Sequence, residues 1–169
     1  MEALLTPHSL QEGHRSTTAL LRMRILGLDV GDRRIGVALS DSLGMTAQRL
    51  TLVTRQRLAA DIEAIATLVR QHAVERIVIG LPLTLRGEQG PQAQKVLAFV
   101  EALRTQITVP LELVDERLTT LQGERALRET GASHQQRKQV IDQVAAQLIL
   151  QQFLDRHYQR SPDANERDA

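Results

Sequence analysis

The sequence predicts a mixed α/β layer, a central sheet covered by helices, and three features carry that expectation. Short aliphatic and β-branched runs open the chain after residue 22 and return twice further on. Segments whose apolar residues recur with a helical period lie between and after these runs. The length, 169 residues, suits one well-buried domain.

The first 22 residues mix Thr, His, Ser, Gln and Gly without a clear period. They are expected to be a disordered extension, or an upstream start included with the gene, with only Thr18–Leu21 packing. The domain is expected over residues 23–158, and residues 159–169 form a polar tail that frays.

"RILGLDV" and "RIGVALSD" read as two strands joined by a tight hairpin at Gly31-Asp32-Arg33, and Thr46–Val53 suits a third, antiparallel strand. Arg57–His72 has Leu58, Ile62, Ile65, Ala66 and Val69 on one helical face. "RIVIGLP", Arg76–Pro82, is the continuous apolar run of a strand buried in a parallel sheet, and Gly80 and Pro82 stop it. After the loop "TLRGEQGP", Pro91 suits the first turn of a helix to about Arg104 that carries Ala93, Val96, Leu97, Val100 and Leu103. Val109–Glu116 is the last strand. "TTLQGERALRET" makes a short helix closed by Gly131, and Ser133 with Gln136 has the spacing of a capping box at the head of a long helix. Three antiparallel strands and then two parallel ones result.

Composition narrows the chemistry. With no cysteine, disulfides, thiolate metal sites and a cysteine nucleophile are excluded. Aromatics are 2%, so the core must be aliphatic, and a nucleic acid would be held by charge and shape more than by stacking. The 21 basic and 20 acidic residues nearly cancel, so a polyanion partner must be argued from local clusters. No apolar run approaches the roughly 18 residues of a membrane span, and no signal peptide is apparent, so the protein is expected in the cytoplasm, away from membranes.

Three acids stand where acids are costly. Asp29 follows Ile25, Leu26 and Leu28 at the end of an apolar strand. Asp and Gly are also ordinary turn residues, so "DVGDRR" alone reads either way. Asp115 and Glu116 end the last strand before Arg117, which by itself reads equally as a surface charge junction. Asp142 precedes Ala145, Ala146 and Ile149 by three, four and seven residues, beside or within the stripe of the long helix that faces the sheet. If the strands at Arg24 and Val109 lie near one another under that helix, Asp29, Glu116 and Asp142 converge. Clustered carboxylates repel unless cations neutralise them. Oxygen donors without His or Cys suit Mg2+ or Mn2+, and two such ions about 4 Å apart serve phosphodiester hydrolysis. Arg33, Arg34, Arg117, Arg137 and Lys138 flank the three acids and are candidate phosphate contacts. Gly31 would let phosphate or metal approach the hairpin.

"ILGLDVGDRRIGVALSD", "IVIGLPLTLRGEQGPQAQKV", "LVDERLTT" and "RKQVIDQVAAQLILQ" closely resemble, in order, the YqgF family, also called RuvX, of RNase H-like bacterial proteins. The likeness spans about Met23 to Leu154. It implies an RNase H-like fold related to the Holliday-junction resolvase RuvC, with carboxylate-bound divalent metals. It also implies work on nucleic acid, either at the 5′ end of 16S rRNA or at branched DNA. Asp29 matches the first-strand acid, Glu116 the acid of the "DER" motif and Asp142 the acid of the C-terminal helix. RuvC has a catalytic acid on its fourth strand, where this chain has Gly80-Leu81-Pro82, so Glu116 would have to substitute.

The expectation is a metal-dependent endonuclease, with structured RNA first and branched DNA second as substrate; a homodimer is left open as a partner. A non-catalytic RNA-binding assembly factor is the alternative of another class. "LDVGDRRIGVA" is also similar to a phosphate loop of actin and sugar-kinase type, but those proteins close two domains on a nucleotide and one domain with one loop does not.

Overall fold

A computed structural model of the chain describes residues 24–117, 125 and 127–159, with backbone alone at 138, 139, 158 and 159. The elements run β1 (Arg24–Val30), β2 (Arg34–Ser40), β3 (Ala47–Thr54), α1 (Leu58–Gln71), β4 (Val74–Leu81), α2 (Pro91–Arg104), β5 (Leu111–Asp115) and α3 (His134–Gln159). Pro91 opens α2 as expected, at the position where a missing N–H costs nothing. The capping box at α3 also forms: Ser133 N–H donates to Gln136 Oε1 at 2.9 Å, and Gln136 N–H to Ser133 Oγ at 3.3 Å.

Two strands start two residues away from expectation, and the others shift by at most one. β4 begins at Val74, two residues before the apolar run, because Ala73 takes φ 50° and turns the chain straight from α1 into the sheet. β5 begins only at Leu111, after Pro110, whose carbonyl accepts from Ile77 N–H at 2.9 Å. Proline has no N–H to offer the ladder. The short helix expected over "TTLQGERALRET" and the expected N-terminal and C-terminal extensions lie largely or wholly outside the described residues.

The sheet order is β3-β2-β1-β4-β5. β1–β2 and β2–β3 pair antiparallel, while β1–β4 and β4–β5 pair parallel, so the mixed sheet expected from the sequence is present. Central strands read as buried runs, Ile25–Leu28 in β1 and Ile77–Leu81 in β4, whereas the edge strand β3 is mostly exposed.

Alternation sorts the side chains onto two faces. Leu26, Leu28, Ile77, Ile79 and Leu81 pack with Ile62 and Ile65 of α1 and Val96, Phe99 and Val100 of α2. Ile25, Ala38, Val78 and Val114 pack with Ala146, Ile149, Leu150 and Phe153 of α3. Leu26, Leu28 and Ile79 are fully buried, each worth roughly 2 kcal/mol of apolar burial.

Glycines interrupt the second face. A Cβ on Gly27 would lie 2.7 Å from Leu150 Cβ and 3.0 Å from the Ala146 carbonyl, and one on Gly36 would lie 3.4 Å from Ala146 Cβ. Helix α3 therefore rests almost on the backbone of β1 and β2. That close approach lets an acid on the helix reach an acid on the sheet.

Candidate active site

Asp29 lies two residues beyond Gly27, so the strand period turns it to the α3 face. It pairs across the ladder with Gly36, where no side chain crowds it. The chain then reverses at once: Gly31 N–H donates to the Arg34 carbonyl at 2.9 Å. A Cβ on Gly31 would meet that same carbonyl oxygen at 2.9 Å, so glycine is required by the tightness of the turn. The turn reading of "DVGDRR" and the site reading thus hold together.

Glu116 is the first residue past β5, and its N–H extends the parallel ladder to the Leu81 carbonyl at 3.2 Å. Its carboxylate lies over β4 in the space that Gly80 leaves: a Cβ on Gly80 would overlap Glu116 Oε1 and come within 2.6 Å of Ile149 Cδ1. Burial, and then the charges of Asp29 and Asp115, push the Glu116 carboxyl up from 4.5 to about 7. Asp115 points the other way and is tied by Arg117, whose Nε donates to both carboxylate oxygens at 3.1 and 2.9 Å and whose Nη2 donates at 2.6 Å. Those hydrogen bonds hold Asp115 below its ordinary value.

Asp142 is exposed on α3, one turn before buried Ala146. Burial first, and the Asp142 charge second, raise the pKa of Asp29. Asp29 is therefore within electrostatic reach of Glu116 on one side and Asp142 on the other. Among the described residues no three His, Asp or Glu side chains close tightly enough to hold one ion by themselves. The acids form a row with Asp29 in the middle.

A cleft of about 630 Å³ opens between α3 and the β1–β2 hairpin, lined by Asp29, Arg33, Arg34, Leu52, Asp142 and Gln143, with Gly31 and Gly36 in its wall. Arg33 and Arg34 are thus placed beside two of the acids. Arg117 and Arg137 are engaged elsewhere. Arg117 is held by Asp115 beside Gly87, and Arg137 Nη1 donates to the Ala132 carbonyl at the head of α3. The Lys138 side chain lies outside the described residues.

Sequence reasoning missed Leu52 and Gln143, which look like ordinary strand and helix surface, and it missed the seat at Gly80. The signal for that seat was present. Gly27, Gly36 and Gly80 each fall at the strand parity that faces α3, but the parity is visible only once the register is known.

The chain is similar to known proteins in sequence and in fold. The family model described as "RuvX: Holliday junction resolvase" matches residues 23–156. A protein of Moorella thermoacetica is 54% identical over 134 residues, covering 79% of this chain and 96% of its own. One from Myxococcus xanthus is 48% identical over 143 residues, covering 85% and 93%. Both carry the name "Putative pre-16S rRNA nuclease". Among solved structures, Thermus thermophilus RuvC in complex with Holliday junction substrate matches with a TM-score of 0.55 at 17% identity, over 81% of this chain and 96% of that one. A second structure of Thermus thermophilus RuvC gives 0.51 at 15% identity, over 81% and 97%. At such identities the likeness is one of fold, and it is the RNase H-like fold expected from the sequence.

Proposed function

Since this chain belongs to the RuvX family, we propose that it is a divalent-metal-dependent endonuclease that acts in the cytoplasm on the 5′ end of precursor 16S rRNA. The observation that supports the reading is that Asp29 of β1 and Asp142 of α3 line one cleft, with Glu116, the residue after β5, within electrostatic reach of Asp29. Nothing in the fold's stability calls for it: burial, and then repulsion among the carboxylates, raises the pKa of Asp29 and Glu116 and so works against the folded state at neutral pH.

The donor set fits a hard divalent cation. All three groups are carboxylates, and Mg2+ is commonly held by one or two carboxylates together with water and substrate phosphate oxygens, so an open row suffices where a closed cage would not. Asp29 with Glu116 and Asp29 with Asp142 would hold Mg2+ or Mn2+. When bound, such an ion supplies Lewis-acid activation of water and neutralises charge on the phosphate. The chain's own residues do the rest. Arg33 and Arg34 present guanidinium groups to a phosphate entering the cleft, and Leu52 and Gln143 border the backbone beside it. With Arg117 and Arg137 occupied, phosphate binding falls mainly to the hairpin.

RNA is favoured over branched DNA by the names of the relatives at about half identity, which cover most of the chain. A junction resolvase is the second reading, favoured by the description of the family model. The two separate in one assay that offers the pure protein, with Mg2+ or Mn2+, a folded 5′ precursor of 16S rRNA, a four-way DNA junction and a single-stranded RNA. Cutting of the precursor in preference to the others is expected. Preferential cutting of the junction would transfer the assignment to the second reading. Binding of the precursor with no metal-dependent cutting would leave an assembly factor without chemistry.

A further inference from the structure

We infer that Arg55 is a positioning residue of this site, acting through the hairpin turn that carries Arg33 and Arg34; the inference rests on the reading of those two arginines as phosphate contacts. The turn Gly31–Arg34 has no apolar side chain with which to pack itself down. Its internal bond is the one from Gly31 N–H to Arg34. Its contact with α2, Lys95 Nζ to Asp32 Oδ1 at 2.9 Å, joins two side chains that are each more than half exposed, and such pairs fix little.

Beyond the β2–β3 ladder, where Arg34 pairs with Thr54, Arg55 anchors the turn. Its backbone N–H donates to the Arg33 carbonyl at 3.0 Å, and its Nη1 donates to the Gly31 carbonyl at 3.1 Å. The guanidinium is itself held from behind. Nε donates to Asp61 Oδ2 at 3.1 Å, and the group lies 5.5 Å over the ring of buried Phe99. Asp61 is 2% exposed, and its second oxygen accepts from Gln56 N–H at 2.9 Å. A rigid planar fork thus links a buried carboxylate on α1 to the backbone of a turn at the rim of the cleft.

An ion pair to a buried carboxylate is a poor device for stability, since an apolar pair of similar volume often does as well. It is a good device for direction. Arg55 can reach Asp61 and Gly31 together because its donors diverge in a fixed plane; a lysine in its place offers one point charge and cannot make both contacts. The consequence is a fixed root for Arg33 and Arg34 as they enter the cleft.

The test is a double-mutant cycle read as affinity. A fluorescently labelled 5′ precursor fragment of 16S rRNA is titrated in chelator, so that no cleavage intervenes, with wild type, Arg55→Lys, the pair Arg33→Ala with Arg34→Ala, and all three changes together. Arg55→Lys is expected to weaken binding about fivefold in the wild-type background and to have no further effect once Arg33 and Arg34 are gone. A merely structural role gives the same fivefold loss in both backgrounds, and that additivity overturns the inference. Should the Arg33, Arg34 pair bind as tightly as wild type, the phosphate-contact reading falls and takes the positioning role with it. If Arg55→Lys fails to fold, Asp61→Asn loosens the same fork from behind and must show the same loss of effect in the Arg33, Arg34 background; additivity there overturns the inference equally.

Discussion

A carboxylate buried beside another carboxylate resists ionising, and Glu116 and Asp29 both meet that condition. The sign of the consequence follows from linkage. Glu116 titrates at about 7 in the folded chain against 4.5 ordinarily, so between those values the folded state holds the extra proton. Metal-free protein should therefore gain stability as the pH falls from 8 to 5.5, on the order of 2 kcal/mol or a few degrees in Tm, and lose it again as the pH rises through 7. Mg2+ or Mn2+ at pH 8 should flatten that profile; melting curves with and without chelator measure it. Replacing Asp29 by Asn removes the middle of the row while keeping its shape. Cleavage should fall at least about a thousandfold with the fold intact by circular dichroism. At Gly80 a methyl group would displace Glu116 Oε1 and press on Ile149, so Gly80→Ala should weaken Mn2+ binding several-fold in a calorimetric titration. Unchanged affinity would show that Glu116 does not need that seat. Asp29 and Glu116 stand out as candidates in the sequence because each is an acid after an apolar run, although either alone reads equally as a turn residue or a surface charge. Gly80 does not, because a glycine before Leu81-Pro82 reads equally well as the end of a strand.

Among the elements, α3 does most to build the site, and the sheet beneath it is shaped for contact. Gly27, Gly36, Gly80 and Ala38 leave gaps toward the helix beside Ile25 and Val78, and Ala146 is small in return. Gly27→Ala places a methyl group 2.7 Å from Leu150 Cβ and 3.0 Å from the Ala146 carbonyl, neither of which is a flexible chain end. The helix must lift, at a cost of roughly 1–3 kcal/mol. Asp142 would move away from Asp29, so cleavage should fall by more than the loss of stability explains, as judged well below the variant's own melting temperature. Helices were legible where local chemistry sets their ends, at Pro91 for α2 and at Ser133 with Gln136 for α3. Strand limits were less so. Val74 and Glu75 belong to β4 although only Val74 is apolar, because pairing with β1 and the turn at Ala73 recruit them.

For the whole molecule, a mixed sheet with helices on both faces could be anticipated from the order of apolar runs and helical periods, since short connections leave few topologies. That β1 lies between β2 and β4 was not legible, and the convergence of the acids depends on it. Asp29, Glu116 and Asp142 are separated by 87 and 26 positions along the chain; they meet because β5 joins the sheet one strand from β1 and α3 returns across both. Arg55 with Asp61 escaped notice for a similar reason: the pair is local, but its purpose at Gly31 is set by β3 running back to the hairpin. This convergence is proposed to be a metal-dependent nuclease site. It is tested most directly by cleavage of a folded 5′ precursor of 16S rRNA, comparing wild type with Asp142→Asn, each with Mg2+ or Mn2+ and again with chelator. Cutting by wild type alone, abolished by chelator, is the predicted result; equal cutting by Asp142→Asn, or cutting that survives chelation, would contradict it.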